Sequence, residues 1–370
     1  MIPVNRPLIS NDDLDAVTDA LKNTWISGDT PPIFNLENSL KEILGVSDVV
    51  AVNSGTTAID LAVEALDIQL NDECVVPTFT IISSISNLLR HGAKITVVDS
   101  DPITWSINAE LAAKAITAKT KLVVPVHIYG LPVDMEPILD KVAGTKTFVL
   151  EDAAEALGVD YKEKHCGTLG NASVFSFYAN KIVTGGEGGA VATNDPAFAE
   201  RVRYFRNLCF DPKQRFVHED LGWNARLSGL SASLISSQLQ RLQILVEKKI
   251  AIAKRYLAGL TGHPWLDFHP LSTPYSINAY WVFGVMLNED SPFGADGLQK
   301  ELRELGVDTR RFFCPLHLQP LAKKYNISTF GTMPIAEKLW NRGIYLPSGL
   351  GNTTAELDLV IETLWKLTKK

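Results

Sequence analysis

The apolar positions of the chain fall into two alternating rhythms. Short runs rich in β-branched residues at 49–53, 74–77, 95–99, 122–127, 147–152, 173–178 and 189–194 read as buried strands, and between them apolar residues recur at helical spacing. This predicts an α/β fold, a large, mainly parallel sheet of seven strands covered by helices. Ser10 is placed to cap a helix on which Leu14, Val17 and Leu21 share one face, with Asp12 and Asp13 at its positive end. A second helix carries Ile33, Leu36, Leu40 and Ile43 and stops at Gly45. From 231 to about 260, Leu234, Leu239, Leu242, Leu245, Ile252, Tyr256 and Leu260 keep helical spacing, which predicts one long helix joining two units. Beyond it a strand is expected over 280–287, a helix over 297–305 ended by Gly306, and a last helix opened by the capping box Thr353-x-x-Glu356. The expected organisation is a large domain over 1–245 and a smaller α+β domain over 246–370.

Composition narrows the class of protein. At 370 residues, and roughly 150 per domain, two or three domains are expected. With 46% hydrophobic and 21% charged residues the chain is globular, and disorder is excluded as its main state. The 35 Lys+Arg are outnumbered by 42 Asp+Glu and are scattered, which argues against nucleic acid as a partner. No basic leader precedes an apolar run and no stretch approaches the ~20 apolar residues of a membrane span, so a soluble, cytoplasmic protein is expected, with no membrane partner. Cys74, Cys166, Cys209 and Cys314 lie far apart without a C-x-x-C pair, which suggests neither a metal site nor a disulfide framework.

Three segments could carry chemistry. Asn53-Ser54-Gly55-Thr56-Thr57 follows a strand and opens a helix, where N–H groups and hydroxyls can hold an anion; alternatively it is an ordinary capped turn. Asp152 ends the run 147–152, at the carboxyl edge where open α/β sheets bind ligands; it could meet a cation there, or simply cap the next helix. Lys181 follows a buried strand and precedes the glycine-rich Thr184-Gly185-Gly186-Glu187-Gly188-Gly189. An amine held in an apolar pocket has a lowered pKa and can form a Schiff base, though most lysines are surface residues. Taken together, a phosphate cradle, a strand-end acid and a sheltered amine are the contacts that pyridoxal phosphate requires.

The segments Asn53-Ser54-Gly55-Thr56-Thr57-Ala58, Pro125-Val126-His127-Ile128-Tyr129-Gly130, Glu151-Asp152-Ala153-Ala154-Glu155-Ala156-Leu157-Gly158, Phe175-Ser176-Phe177-Tyr178-Ala179-Asn180-Lys181 and Gly186-Glu187-Gly188-Gly189 resemble the DegT family of sugar aminotransferases, with the aspartate-aminotransferase-like fold type I. The resemblance runs in order from Pro3 to the final helix. It implies that Lys181 is the Schiff-base lysine, that Asp152 pairs with the pyridine nitrogen, and that Ser54, Gly55, Thr56 and Ser176 hold the phosphate. It places Glu155 near the ring hydroxyl and makes Asn224, in Gly222-Trp223-Asn224-Ala225-Arg226, reach the cofactor phosphate of a partner subunit. A homodimer with shared active sites is thereby implied. Two positions depart from the family: Ile81 stands where an aromatic residue often covers the ring, and Gly185 where threonine is usual.

Further stretches, among them Trp25-Ile26-Ser27, Pro132-Val133-Asp134-Met135 and Arg215-Phe216-Val217-His218-Glu219, are most similar to members that aminate a GDP-linked sugar. The implied substrates are L-glutamate and GDP-4-keto-6-deoxy-D-mannose, aminated at C4. A UDP- or dTDP-linked keto sugar is the alternative, and a non-catalytic sugar-sensing protein a second one. A sugar 3-dehydratase on the same scaffold carries histidine in place of the lysine, which Lys181 argues against. His127 and His317 are candidate substrate contacts or structural histidines. Arg226 and Arg310 are candidates for a diphosphate or carboxylate, against a surface role. Trp25, Ser27 and the loop 213–218 are expected at the sugar pocket.

Overall fold

The computed structural model describes residues 1–211 and 213–369. The seven expected strands all form: β1 Asp48–Val52, β2 Glu73–Pro77, β3 Lys94–Val98, β4 Thr120–Val123, β5 Phe148–Asp152, β6 Ala172–Ser176 and β7 Gly189–Thr193. The C-terminal part contributes β8 Leu266–Phe268, β9 Phe283–Leu287, β10 Arg310–Arg311, β11 Ser328–Thr329 and β12 Gly343–Leu346. The large sheet runs β1-β7-β6-β5-β4-β2-β3-β11, and β7 lies antiparallel to both its neighbours in an otherwise parallel array. The eighth strand, β11, was not expected because two residues, Ser328 and Thr329, carry no periodic signal. The smaller antiparallel sheet runs β8-β9-β12-β10.

Both faces of the large sheet are buried, which explains why its strands read as continuous apolar runs. On β1, Val49 and Ala51 join one core while Val50 and Val52 join the other. Helices α1 Asn11–Lys22, α2 Pro31–Leu44, α3 Gly55–Ala65 and α4 Ser83–Arg90 surround it. The expected long helix is two, α5 Gly229–Leu239 and α6 Leu242–Leu260. At the break, Arg241 sends its guanidinium to Ser10 and to the Asp13 carboxylate, so the interruption docks α1 onto this pair of helices. The start of α6 (Leu242, Leu245, Val246) packs in the sheet core, and its later turns (Ile252, Ala253, Tyr256, Leu260) pack around β9. The final helix, α7 Thr354–Leu367, opens with both hydrogen bonds of the Thr353–Glu356 capping box.

α1 forms as expected, and its apolar face does not meet the chain's own core. Ser10 caps it, but its Leu14–Val17–Leu21 face looks outward, with Leu14 58% and Leu21 54% exposed, while Asp13 is buried. Asp13 accepts from the backbone of Ser10, from Ser237 and from Arg241, and those bonds hold its carboxyl below the usual carboxylate range despite burial. Among the described residues no helix is long and apolar enough to cross a membrane.

Candidate active site

The carboxyl ends of β5 and β6 and the N-terminus of α3 open onto one cavity of about 350 Å³. Ser54, Gly55, Thr56, Ile81, Asp152, Glu155, Ser176 and Lys181 all line it, so eight residues from four segments of sequence meet there.

The anion end is built by backbone approach. Ser54 caps α3, its hydroxyl accepting from the N–H of Thr57 at 3.1 Å, so the capping alternative is realised in a residue that also faces the cleft. A Cβ on Gly55 would lie 2.8 Å from Cβ of Ser176, so only glycine lets the first turn of α3 lie directly against Ser176. The first N–H groups of a helix lack intrahelical partners, and its dipole favours negative charge; these two effects make the cradle suited to a phosphate.

Asp152 lies on the cavity floor. Ser84 Oγ donates to its Oδ2 at 3.3 Å and Ala154 N–H to its Oδ1 at 3.2 Å, while Thr80 Oγ1 lies 3.1 Å from Ser84 Oγ. Among the described residues it has no ion-pair partner within 4.0 Å. Burial pushes its carboxyl up, partly opposed by the Ala154 N–H and by Lys181. A buried carboxylate without a counter-ion is a site for a cation, which a protonated ring nitrogen supplies.

Lys181 is largely covered, its side chain 12% exposed, with Nζ 3.7 Å from Glu155 Oε1 and 3.6 Å from the ring centre of Trp281. Burial lowers the pKa of its amine and raises that of Glu155 to about 7, and each group's charge opposes the effect of burial on the other. Glu155 is aimed by its other oxygen, which accepts from the N–H of Tyr129 at 2.7 Å. Tyr129 has φ 56°, a left-handed conformation uncommon for a bulky residue, and thereby turns that N–H onto the carboxylate. The donor set fits pyridoxal phosphate: an anion cradle, an uncompensated acid and a desolvated amine around one cavity.

Other expected contacts lie elsewhere. His127 is wholly buried and does not face the cleft. Its Nδ1 accepts from Val133 N–H at 3.1 Å, so Nε2 carries the proton and donates to Glu151, 3.0 Å away. Glu151 also accepts from the N–H groups of Gly167, Leu169 and Gly170, which makes the pair a structural brace behind β5. His317 is likewise engaged, Nδ1 with Thr78 Oγ1 at 2.7 Å and Nε2 with Glu337 at 3.3 Å, outside the cavity lining. Arg310 pairs with Asp308.

Trp25, Ser27, Arg226 and Asn224 gather outside this cavity. Ser27 O accepts from Gly229 N–H, Gly28 packs on Arg226, and Arg226 donates to Asn207, which is bridged to Asn224. Around them are exposed apolar side chains, Ile26, Phe216, Leu221 and Trp223. At Gly185 a Cβ would meet Glu187 O and Ile235 at 2.8 Å, so threonine would not fit this backbone without a shift.

Sequence reasoning missed Thr80, Ser84, Trp281 and Tyr345. Trp281, Phe313 and Tyr345 enter the cleft from the C-terminal part of the chain.

The fold and the site define a pyridoxal phosphate enzyme. The sequence matches the DegT/DnrJ/EryC1/StrS aminotransferase family over residues 7–365; the chain belongs to that family and is a pyridoxal phosphate-dependent sugar aminotransferase. It is 35% identical over 366 residues to the GDP-perosamine synthase of Caulobacter vibrioides, covering 98% of this chain and 97% of that protein. The GDP-perosamine synthase of Escherichia coli O157:H7 is 35% identical over 364 residues, with coverage of 98% and 97%. The crystal structure of the aminotransferase TlmJ from Streptoalloteichus hindustanus matches with a TM-score of 0.91 at 29% identity, covering all of both chains.

Proposed function

We propose that this aminotransferase moves the amino group of L-glutamate to C4 of GDP-4-keto-6-deoxy-D-mannose, giving GDP-perosamine. The observation that carries the chemistry is the convergence of the Lys181 amine, the Asp152 carboxylate and the α3 N-terminus on one cavity. The synthases of similar sequence support the sugar. Bound pyridoxal phosphate supplies an electrophilic carbonyl carbon and an electron-accepting ring.

The chain's own residues supply the rest. Ser54, Gly55, Thr56 and Ser176 hold the phosphate, and Ile81, 44% exposed at the mouth, gives the ring an aliphatic cover. Asp152 keeps the ring nitrogen protonated, because an opposite charge at contact distance favours the charged form. Lys181, once its amine is free, moves a proton to and from the reacting carbon, and Glu155 beside it takes up or returns one with a pKa near neutrality. Trp25, Ser27, Asn224 and Arg226 complete the cleft of a second copy in a homodimer; their gathering outside the chain's own cavity, amid exposed apolar side chains, supports this.

The test offers glutamate with GDP-linked and UDP-linked 4-keto-6-deoxyhexoses in parallel, the product being identified by mass and NMR. GDP-perosamine is expected; turnover of the UDP sugar alone would overturn the proposal. Borohydride treatment of the protein loaded with pyridoxal phosphate should label the peptide carrying Lys181.

A further inference from the structure

Trp281 stands over the amine of Lys181 with Nζ 3.6 Å from its ring centre, and two further contacts fix it there. Its indole N–H donates at 2.9 Å to the carbonyl of Asn180, on the lysine's own loop. Its backbone is pressed against Gly130, where φ is +96° and a Cβ would lie 2.6 Å from the Trp281 nitrogen. Ring and lysine loop are therefore tied to each other, although they lie 100 residues apart in sequence. The carboxylate nearest the amine, Glu155 Oε1, is at 3.7 Å, beyond a good hydrogen bond, and its other oxygen is taken by Tyr129.

We propose that Trp281 is a positioning residue whose indole face holds the Lys181 amine at the cleft whenever that amine is not bonded to the cofactor. A cation over an aromatic face is attracted by the ring quadrupole, most strongly where water is excluded. The ring favours the protonated amine where burial disfavours it, and it leaves the side of Nζ away from the indole free to meet a reacting carbon. The titratable groups around the amine are Glu155 and Asp152 at the end of β5, with Tyr178, Glu187 and Tyr345 lining the same cavity and Lys249 across a small void on the other side. The inference rests on Lys181 being the reacting amine.

The test uses cofactor-free protein. Reductive methylation with formaldehyde and cyanoborohydride is followed across neutral to alkaline pH, and modification of the Lys181 peptide is measured by mass spectrometry. Because only the neutral amine reacts, the midpoint reports its pKa. In Trp281→Leu the midpoint should fall by about one pH unit, and in Trp281→Phe by less, since a ring face remains. Should the leucine variant fail to fold, incorporation of fluorinated tryptophans keeps the shape and withdraws charge from the face; the midpoint should then step down with each added fluorine. A structural filler would affect stability without that graded shift. An unchanged midpoint in the leucine variant, or in the fluorinated protein, would overturn the proposal. Borohydride labelling of a different lysine in the loaded protein would instead refute the assignment of Lys181, and the midpoint experiment is independent of it.

Discussion

Asp152→Asn separates a cofactor acid from a structural one, because the geometry predicts opposite signs for stability and activity. The substitution preserves shape. Asparagine Oδ1 can still accept from Ala154 N–H, now 3.2 Å from the carboxylate, and its amide nitrogen can donate to Ser84 Oγ, whose hydroxyl is free to turn toward Thr80. What is lost is a buried negative charge that burial disfavours and that has no ion-pair partner among the described residues. The cofactor-free protein should therefore melt at the same temperature or slightly higher at neutral pH. Its carboxyl pKa is raised on folding, so this charge weakens the wild type as pH climbs above the unfolded value, and the variant gains most above that window. In the loaded enzyme the proposed role sets this charge against the protonated ring nitrogen. Removing one partner of a buried charge pair costs roughly 2–5 kcal/mol, which is about thirty- to several-thousand-fold in turnover. Melting of the cofactor-free protein and initial rates of 2-oxoglutarate release read the two effects separately. Turnover within threefold of wild type, or a clear fall in the melting temperature of the cofactor-free variant, would refute this account.

The other predictions bear on neighbouring features. Lys249 is buried with its amine donating to Ser348 O, and burial lowers its pKa to about 7; since the unfolded chain holds this proton to higher pH, wild-type stability relative to Lys249→Met should rise from pH ~7 upward by as much as about 1.4 kcal/mol per unit, and a flat difference in chemical denaturation would contradict it. Gly55→Ala puts a methyl group against Ser176 and should weaken pyridoxal phosphate binding about tenfold or more, read by spectral titration, while changing the melting temperature of the cofactor-free protein little. His127→Ala leaves the Val133 N–H without its acceptor and Glu151 short of a donor, so denaturant titration should show a loss of about 2–4 kcal/mol; an unchanged stability with a raised KM for the sugar would restore His127 as a substrate contact. Mixing inactive Lys181→Ala and Asn224→Ala chains should regain activity through hybrid dimers with one intact site, and a mixture no more active than its components would argue against shared sites.

The sheet was legible because it is buried on both faces: each strand runs apolar without alternation, and each of the seven runs became a strand. The candidate lysine, acid and cradle were legible for a related reason, since each ends or closely follows such a run. Which acid faces the cleft was not decided by pattern. Glu151 and Asp152 are adjacent on β5 and point to opposite faces, so Asp152 meets the cavity while Glu151 turns to His127 and the loop amides 167–170. The same parity took His127 out of the cleft. Trp281 and Tyr345 gave no local signal, because an aromatic residue becomes a cleft wall only when the chain beyond α6 folds back over the sheet.

α1 makes the limit of periodicity concrete and bears on assembly. Hydrophobic spacing identified a face on Leu14, Val17 and Leu21, but spacing alone does not say what that face meets. The side that docks on the chain's own core is the one bearing Asp13, whose hydrogen bonds with Ser10, Ser237 and Arg241 meet the requirement of a buried carboxylate. The helix is held within the chain by that polar anchor, and two leucines more than half exposed are left on its outer side. Ile26 and Phe34, near Trp25 and Ser27 in sequence, are exposed as well. Trp25 and Ser27, proposed to complete a second copy's cleft, lie close in sequence to exposed apolar side chains, and the proposed shared-site dimer requires that a second copy cover such side chains.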